Sequence, residues 1–367
     1  MLATAVSSKL SAASAGSATD WVASLSPWPE EFGLDRMRQL LDRLGHPERR
    51  YPAIHVVGTN GKSTATRTIA ALLRAEGRRA GAYTSPHVSG WAERIWVDGT
   101  EADFERAVAR IRPDAVVVGA TQFEALTAAA LLEFAEREVE VAVVEAGLGG
   151  RLDATNVVDA EIVLLTNVSL EHTEVLGNTT EQIAKEKLAV AHAARVVVVP
   201  DNQYEDLIPK SAEIVTGDER KAAEVFLGRE TRAQPCVVLP GRLERRGREL
   251  WDGAHTPAGM AWLRERIHEP VEVVVASILD DKDADAMLAD LAALAPRFVA
   301  TASDNPRALS AEQLAARAAP HFADVETEPD PHRALTRARQ SSTGLILVTG
   351  SLYLLANLAK AEEQGIR

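Results

Sequence analysis

The sequence predicts an α/β protein of two domains, each built on a mostly parallel sheet with helices over both faces. Three observations predict it. Short apolar, β-branched runs alternate with helix-patterned stretches along most of the chain. At roughly 150 residues per domain, 367 residues are enough for two hydrophobic cores. Glycine and clustered arginine then break the apolar periodicity near Pro240–Leu250, and a second α/β series follows.

The elements follow in order. Residues 1–20 hold six Ala, five Ser and one Lys. They form no hydrophobic block, match neither a secretory signal nor a transit peptide, and are expected to be a poorly ordered tail. Asp35–Leu44 places apolar residues at helical spacing and Gly45 stops it. Ala53–Val57 reads as a buried strand, Gly58–Thr64 (GTNGKST) as a loop, and the Ala/Leu-rich run to Ala75 as a helix closed by Gly77. Further strands are expected at Ala80–Thr84, Ala115–Val118, Val141–Glu145, Ile162–Thr166 and Arg195–Val199. Asn178 with Glu181 reads as a capping box opening a helix. In the second series Val271–Ile278, Arg297–Ala302 and Leu345–Gly350 read as strands. Ala284–Leu294, Ala311–Ala319 and the run after Gly350 read as helices.

Composition narrows the function. The net charge is −13 and aromatics make up 5%, which argues against a nucleic-acid surface. No apolar run reaches the ~18 residues of a membrane span. The single cysteine, Cys236, excludes a disulfide framework and is expected to be buried and inert. A cytoplasmic protein without nucleic-acid or membrane partners follows, and a monomer is expected. Phosphate, if bound, must be held by a few placed groups.

Those groups are present. In strand–GTNGKST–helix, Gly58 and Gly61 free the backbone amides, the helix start adds positive potential, and Lys62 adds a point charge. The full phosphate-loop pattern is incomplete, because the position five before Gly61 is Val56. Val141–Asn156 ends a strand in Glu145 beside three glycines, where a carboxylate suits magnesium or simply meets water. His172 follows another strand, as a structural residue or a ligand. Lys185 and Lys187 share one helix, and composition prefers neither. Asp252 and His255 of WDGAHTPAG are expected to project at a loop, and Arg242 at the domain boundary bridges domains or phosphates, or is solvated.

These segments occur in one order: GTNGKST, TSPHVSGWAERI (84–95), TQFEALTAAALLEF (121–134), EAGLGGRLDATNVVD, LEHTEVLGNTTEQIAKEK, PGRLE and DGAHTPAG. Together they resemble the folylpolyglutamate synthase/dihydrofolate synthase family of the Mur ligase superfamily, over about residues 30 to 360. The resemblance implies a central P-loop domain over 21–243 and a smaller C-terminal Rossmann-like domain over 244–367, with ATP bound between them. It implies that L-glutamate is joined to a pteroate or folate carboxylate. Thr59, Asn60, Gly61, Lys62, Ser63 and Thr64 would hold the ATP phosphates, with Arg242 and Asp252 as further ATP contacts. Ser85, Glu145 and His172 would be magnesium ligands, joined by Lys187 as a carbamate. Lys62, Lys187 and His255 would be catalytic. Thr121, Gln122, Phe123, Glu124, Leu152, Asp153 and Ala154 fall at the pterin substrate, and Lys282 at glutamate. The alternatives are a Mur-type ligase for another acid, or a non-catalytic binder of nucleotide or folate.

The chain departs from the family pattern in four places, one of them Leu188-Ala189-Val190 where Ala-Gly-Ile usually follows the EK pair. GTNGKST stands for the common GTNGKGS, so Ser63 offers a hydroxyl that glycine cannot. AHTP stands for AHNP, with Thr256 for Asn. Only 52 residues separate Lys187 from Pro240, a short segment in which Ala222–Leu227 is a poor match to the family's adenine-contacting helix.

Overall fold

The computed structural model describes residues 16–363. They form two compact units, one running to Pro86 and over Trp91–Val237, the other comprising His87–Gly90 and the chain from Val238.

The first unit is organised by an eight-stranded sheet. Its strands are β1 (Ala53–Val57), β2 (Ala80–Tyr83), β3 (Ile95–Val97), β4 (Thr100–Glu101), β5 (Val141–Glu145), β6 (Ile162–Leu165), β7 (Val196–Val199) and β8 (Glu213–Thr216). Their order is β4-β3-β2-β5-β1-β6-β7-β8. All pairs are parallel except β2–β3 and β3–β4. Val56 pairs with Glu145 on β5 and with Leu164 on β6. The carboxyl ends of three neighbouring strands are therefore level, and ligands collect at such ends.

Alternation along β1 splits the core in two. Ile54 and Val56 pack with Ile69, Leu72 and Leu73 of α3 (Lys62–Ala75) and with Ala222 and Ala223 of α8 (Glu219–Leu227). Ala53 and Val57 pack with Leu126, Ala129 and Leu131 of α5 (Gln122–Glu136). α1 (Ala18–Ser24) and α2 (Asp35–Arg43) add Trp21, Met37 and Leu40 to that second face.

The second unit holds a six-stranded sheet of order β13-β12-β11-β14-β10-β9. Its strands are β9 (Glu244–Arg246), β10 (Glu249–Trp251), β11 (Val271–Ala276), β12 (Arg297–Ala300), β13 (Asp324–Thr327) and β14 (Leu345–Thr349). Only β9–β10 is antiparallel. Its helices are α9 (Pro257–Arg266), α10 (Ala284–Ala292), α11 (Ala311–Ala318), α12 (Pro331–Ser341) and α13 (Leu352–Glu363).

Four expectations are corrected. Ala115–Val118 is not a strand but the last turn of α4 (Phe104–Val118), where Phe104, Ala107, Val108, Ile111 and Ala115 are buried at helical spacing. Asp103 caps that helix, and the β-branched run rides on a register set upstream. The helix after Asn178 is α7 (Thr180–Leu188), and its cap is Thr179, which accepts from Gln182 N. The tail is shorter than residues 1–20. Its first fifteen positions lie outside the described residues, whereas Ser17 caps α1 and Ala18 is buried. Cys236 is exposed, because its stretch runs without secondary structure between α8 and β9.

Candidate active site

The loop between β1 and α3 is shaped by close approach. Gly58 has φ +146°, and a Cβ there would lie 1.9 Å from Thr166 Oγ1, so only glycine fits. Thr166 and Asn167, just past β6, hold the loop in return. Thr166 Oγ1 donates to Asn60 O at 2.7 Å, Asn60 N donates to Asn167 Oδ1 at 3.0 Å, and Thr59 N donates to Asn167 O at 3.0 Å. Gly61, at φ +79°, begins α3 without a side-chain cap, leaving first-turn amides for an anion. Lys62 Nζ lies back on the loop, donating to Gly58 O at 3.0 Å and Thr59 O at 3.1 Å. Thr64 is exposed on the same turn.

At the second residue of α3, Ser63 meets the acid at the end of β5. Ser63 Oγ donates to Glu145 Oε1 at 3.0 Å, and Ser85 N donates to Oε2 at 3.0 Å. Glu145 is buried. Arg94, also buried, shares a hydrogen bond with Tyr83 and lies within electrostatic reach of Glu145. Burial pulls the Arg94 pKa down, against the pull of Tyr83 and Glu145. The carboxylate and hydroxyl oxygens of Ser63, Ser85 and Glu145 suit a hard divalent cation. Among the described residues no three His, Cys, Asp or Glu side chains converge on one point, so such an ion needs those hydroxyls.

Lys187 is the second buried charge. Its Nζ donates to Gly58 O at 2.8 Å, the same carbonyl that Lys62 uses, and to Glu171 Oε1 at 2.5 Å. Burial lowers its pKa to about 8, although Glu171 pulls the other way. Burial pushes Glu171 up, but Lys187 and Lys62 outweigh it and hold the carboxyl below its ordinary value. Lys185, its rival on α7, lies outside the helix's buried set. His172 is exposed, has φ +44°, begins the short helix α6 (Thr173–Leu176), and acts electrostatically on Glu171.

The substrate residues expected on α5 are divided in use. Thr121 and Glu124 close a capping box, and Glu124 also takes Arg36 Nε at 2.8 Å. Gln122 Nε2 donates to Val22 O. Phe123 is half-buried, packs on Gly147 and lies 6.1 Å from the Tyr83 ring. Leu152, Asp153 and Ala154 sit in the loop after β5 that begins at Gly147.

In the second unit, Asp252 follows β10 and is buried rather than projecting. Its carboxylate accepts from Leu243 N and Ala254 N, both at 2.8 Å, and so folds the 241–254 turns together. Burial raises its pKa, while the Leu243 amide and the Arg242 guanidinium oppose the rise. His255 shares a 2.8 Å hydrogen bond between Nδ1 and Gly253 O. Thr256 accepts from Gly259 N and caps α9, so the Thr that replaces Asn keeps a cap. Lys282 sits on the turn after β11, paired with Asp281 at 3.0 Å.

Sequence reasoning missed Glu171, Thr166, Asn167 and Arg94. Glu171 adjoins His172, but nothing along the chain announces its partner sixteen residues on.

The Mur ligase middle domain matches residues 56–233, and the Mur ligase glutamate ligase domain matches 241–352. The dihydrofolate synthase/folylpolyglutamate synthase of Mycobacterium tuberculosis is 30% identical over 393 residues, covering 80% of each chain. This chain belongs to the dihydrofolate synthase/folylpolyglutamate synthase family. Among solved structures, Escherichia coli FolC in complex with DHPP and ADP superposes with a TM-score of 0.84 at 25% identity, covering 96% of this chain and 99% of that one. The Yersinia pestis bifunctional folylpolyglutamate synthase/dihydrofolate synthase, complexed with AMPPNP and Mn ion, gives 0.81 at 26%, covering 95% and 98%. No described helix is long and apolar enough to cross a membrane.

Proposed function

We propose that this family member is an ATP-dependent ligase joining L-glutamate to a dihydropteroate or folate carboxylate through an acyl phosphate, with release of ADP and phosphate. One observation carries the reading: Lys62, the Ser63–Glu145 pair and buried Lys187 converge on the loop at the carboxyl end of β1.

In the first step the acceptor carboxylate attacks the γ-phosphorus of ATP, and the bond to the ADP oxygen breaks. Lys62 exchanges its two loop carbonyls for phosphate oxygens, alongside the amides of Asn60 to Thr64. Ser63, Ser85, Glu145 and His172 would hold magnesium, which when bound offsets the charge of the transferring group. With a pKa of about 8, Lys187 is neutral in about a tenth of molecules at pH 7, which suits reaction with carbon dioxide to an anionic carbamate ligand. Glu171, now paired with the ammonium, would then turn away or share a cation. In the second step the glutamate amine attacks the acyl carbon, and phosphate leaves from the tetrahedral intermediate. Thr121, Gln122, Phe123, Glu124 and Leu152–Ala154 are assigned to the acceptor, Arg242 and Asp252 to ATP, His255 to the phosphates, and Lys282 to glutamate.

The test supplies ATP, magnesium and glutamate with dihydropteroate, then with a reduced folate, and follows product mass. A gain of one glutamate residue on either acid is the expected result. Product from dihydropteroate alone marks a monofunctional synthase, and product from both a bifunctional one. Nucleotide binding with neither acid glutamylated contradicts the reading.

A further inference from the structure

Asp153, in the loop assigned to the acceptor, ends a buried hydrogen-bond chain whose other members, His55 and Thr155, have no place in those roles. His55, in the middle of β1, and Thr155 have no exposed surface, and Asp153 is 7% exposed. His55 Nε2 lies 2.9 Å from Thr155 Oγ1. The Thr155 hydroxyl donates to Asp153 Oδ1 at 2.5 Å, and the Thr155 amide donates to the same oxygen at 3.0 Å. The Leu148 amide donates to Asp153 Oδ2 at 2.7 Å. Among the described residues His55 Nδ1 has no hydrogen-bond partner.

These contacts fix a direction. A hydroxyl carries one proton. Thr155 gives it to Asp153, so His55 must donate through Nε2–H, and its Nδ1 is a bare acceptor. The reversed chain would put a proton on Asp153 Oδ1, turn the Thr155 hydroxyl to His55, and leave a proton on Nδ1 with nothing to accept it. A buried donor without an acceptor loses its hydration unreplaced. A proton on Oδ2 would instead oppose the Leu148 N–H. Burial pushes Asp153 up and His55 down to about 3, so the hydrogen-bond directions decide which form the acid takes. The titratable groups within reach are Lys187 and Tyr83 for Asp153, and His192 for His55.

We propose that His55 and Thr155 are positioning residues that keep buried Asp153 ionised and aimed within the 147–155 loop, as a fixed negative charge for N–H donors of the acceptor acid. The inference rests on the assignment of Leu152–Ala154 to the acceptor. It makes His55 a support of specificity from inside the sheet, on the strand that leads into the phosphate loop.

Thr155→Val removes the hydroxyl at constant shape. The acceptor KM is expected to rise about tenfold near pH 7 while the ATP KM stays within about twofold. The acceptor KM should then recover as the pH is raised, because a carboxyl deprived of its donor titrates higher. Thr155→Ser should restore the wild-type value and its flat profile. An unchanged acceptor KM, or an ATP KM rising in step, overturns the proposal. Nitrogen-15 NMR of the histidines reads the chain without activity or mutation. His55 should be the uncharged Nε2–H tautomer from about pH 5 to about pH 8. An Nδ1–H tautomer or an imidazolium overturns the chain whether or not the wild type makes product. A wild type that shows the tautomer but makes no product counts against the ligase reading alone.

Discussion

Two lysines and one carbonyl define the chemistry at the residue scale. Lys62 and Lys187 both donate to Gly58 O, and Lys187 alone has an acid within 2.5 Å. The difference in environment separates their roles. Lys62 is half-buried on a flexible stem at the mouth of the loop, whereas Lys187 is sealed beneath it. A pKa lowered to about 8 means that the neutral amine gains as pH rises through that value. Carbamate formation uses the neutral amine, so wild-type activity should depend on added bicarbonate more at pH 6.5 than at pH 8.5. Lys187→Ala should lose at least about a hundredfold in kcat at either pH and gain nothing from bicarbonate. Initial rates with and without bicarbonate check both statements, and activity unchanged in the variant removes the carbamate. Lys187 was marked by the resemblance, since its helix offered Lys185 equally. The buried pairing with Glu171 is what now separates the two.

Helix α5 ties the acceptor region to the core at the scale of elements. Thr121 and Glu124 each satisfy the other's backbone amide, and Glu124 also binds Arg36 from α2. Thr121→Ala should therefore lower stability by about 1–2 kcal/mol. Denaturant unfolding measures it, and a loss below about 0.5 kcal/mol would mean the box does not hold the helix start. Elements of this kind were readable where local chemistry and burial agree. β1, β5 and β6 are wholly buried β-branched runs, and α3 starts at a glycine after a strand. Ala115–Val118 misled because a β-branched run at the end of a helix looks like a strand until the buried spacing from Phe104 is followed. The edge strands β4, β8 and β13 went unread for the opposite reason. Their exposed or half-exposed faces carry polar residues, and their place is set by neighbouring strands.

A chain of net charge −13 binds a polyphosphate, on this account, with placed groups and no basic surface. The structure supplies a glycine loop, Lys62, and an acid–hydroxyl pair for a divalent ion, all at the level ends of three parallel strands. That convergence is long-range, joining residues 58–63, 85, 145 and 187, and no local pattern in the sequence encodes it. Only the order of the motifs pointed to it. The short span between Lys187 and Pro240 is not empty, since β7, β8 and α8 fill it and α8 buries Ala222 and Ala223 against the phosphate-loop helix side of the sheet. In the proposed reaction the acceptor carboxylate is activated by phosphorylation. The most direct test is single-turnover ligation with the acceptor carboxylate labelled with oxygen-18. One labelled oxygen is expected in the released phosphate for each glutamate joined. Product formed with unlabelled phosphate would contradict it.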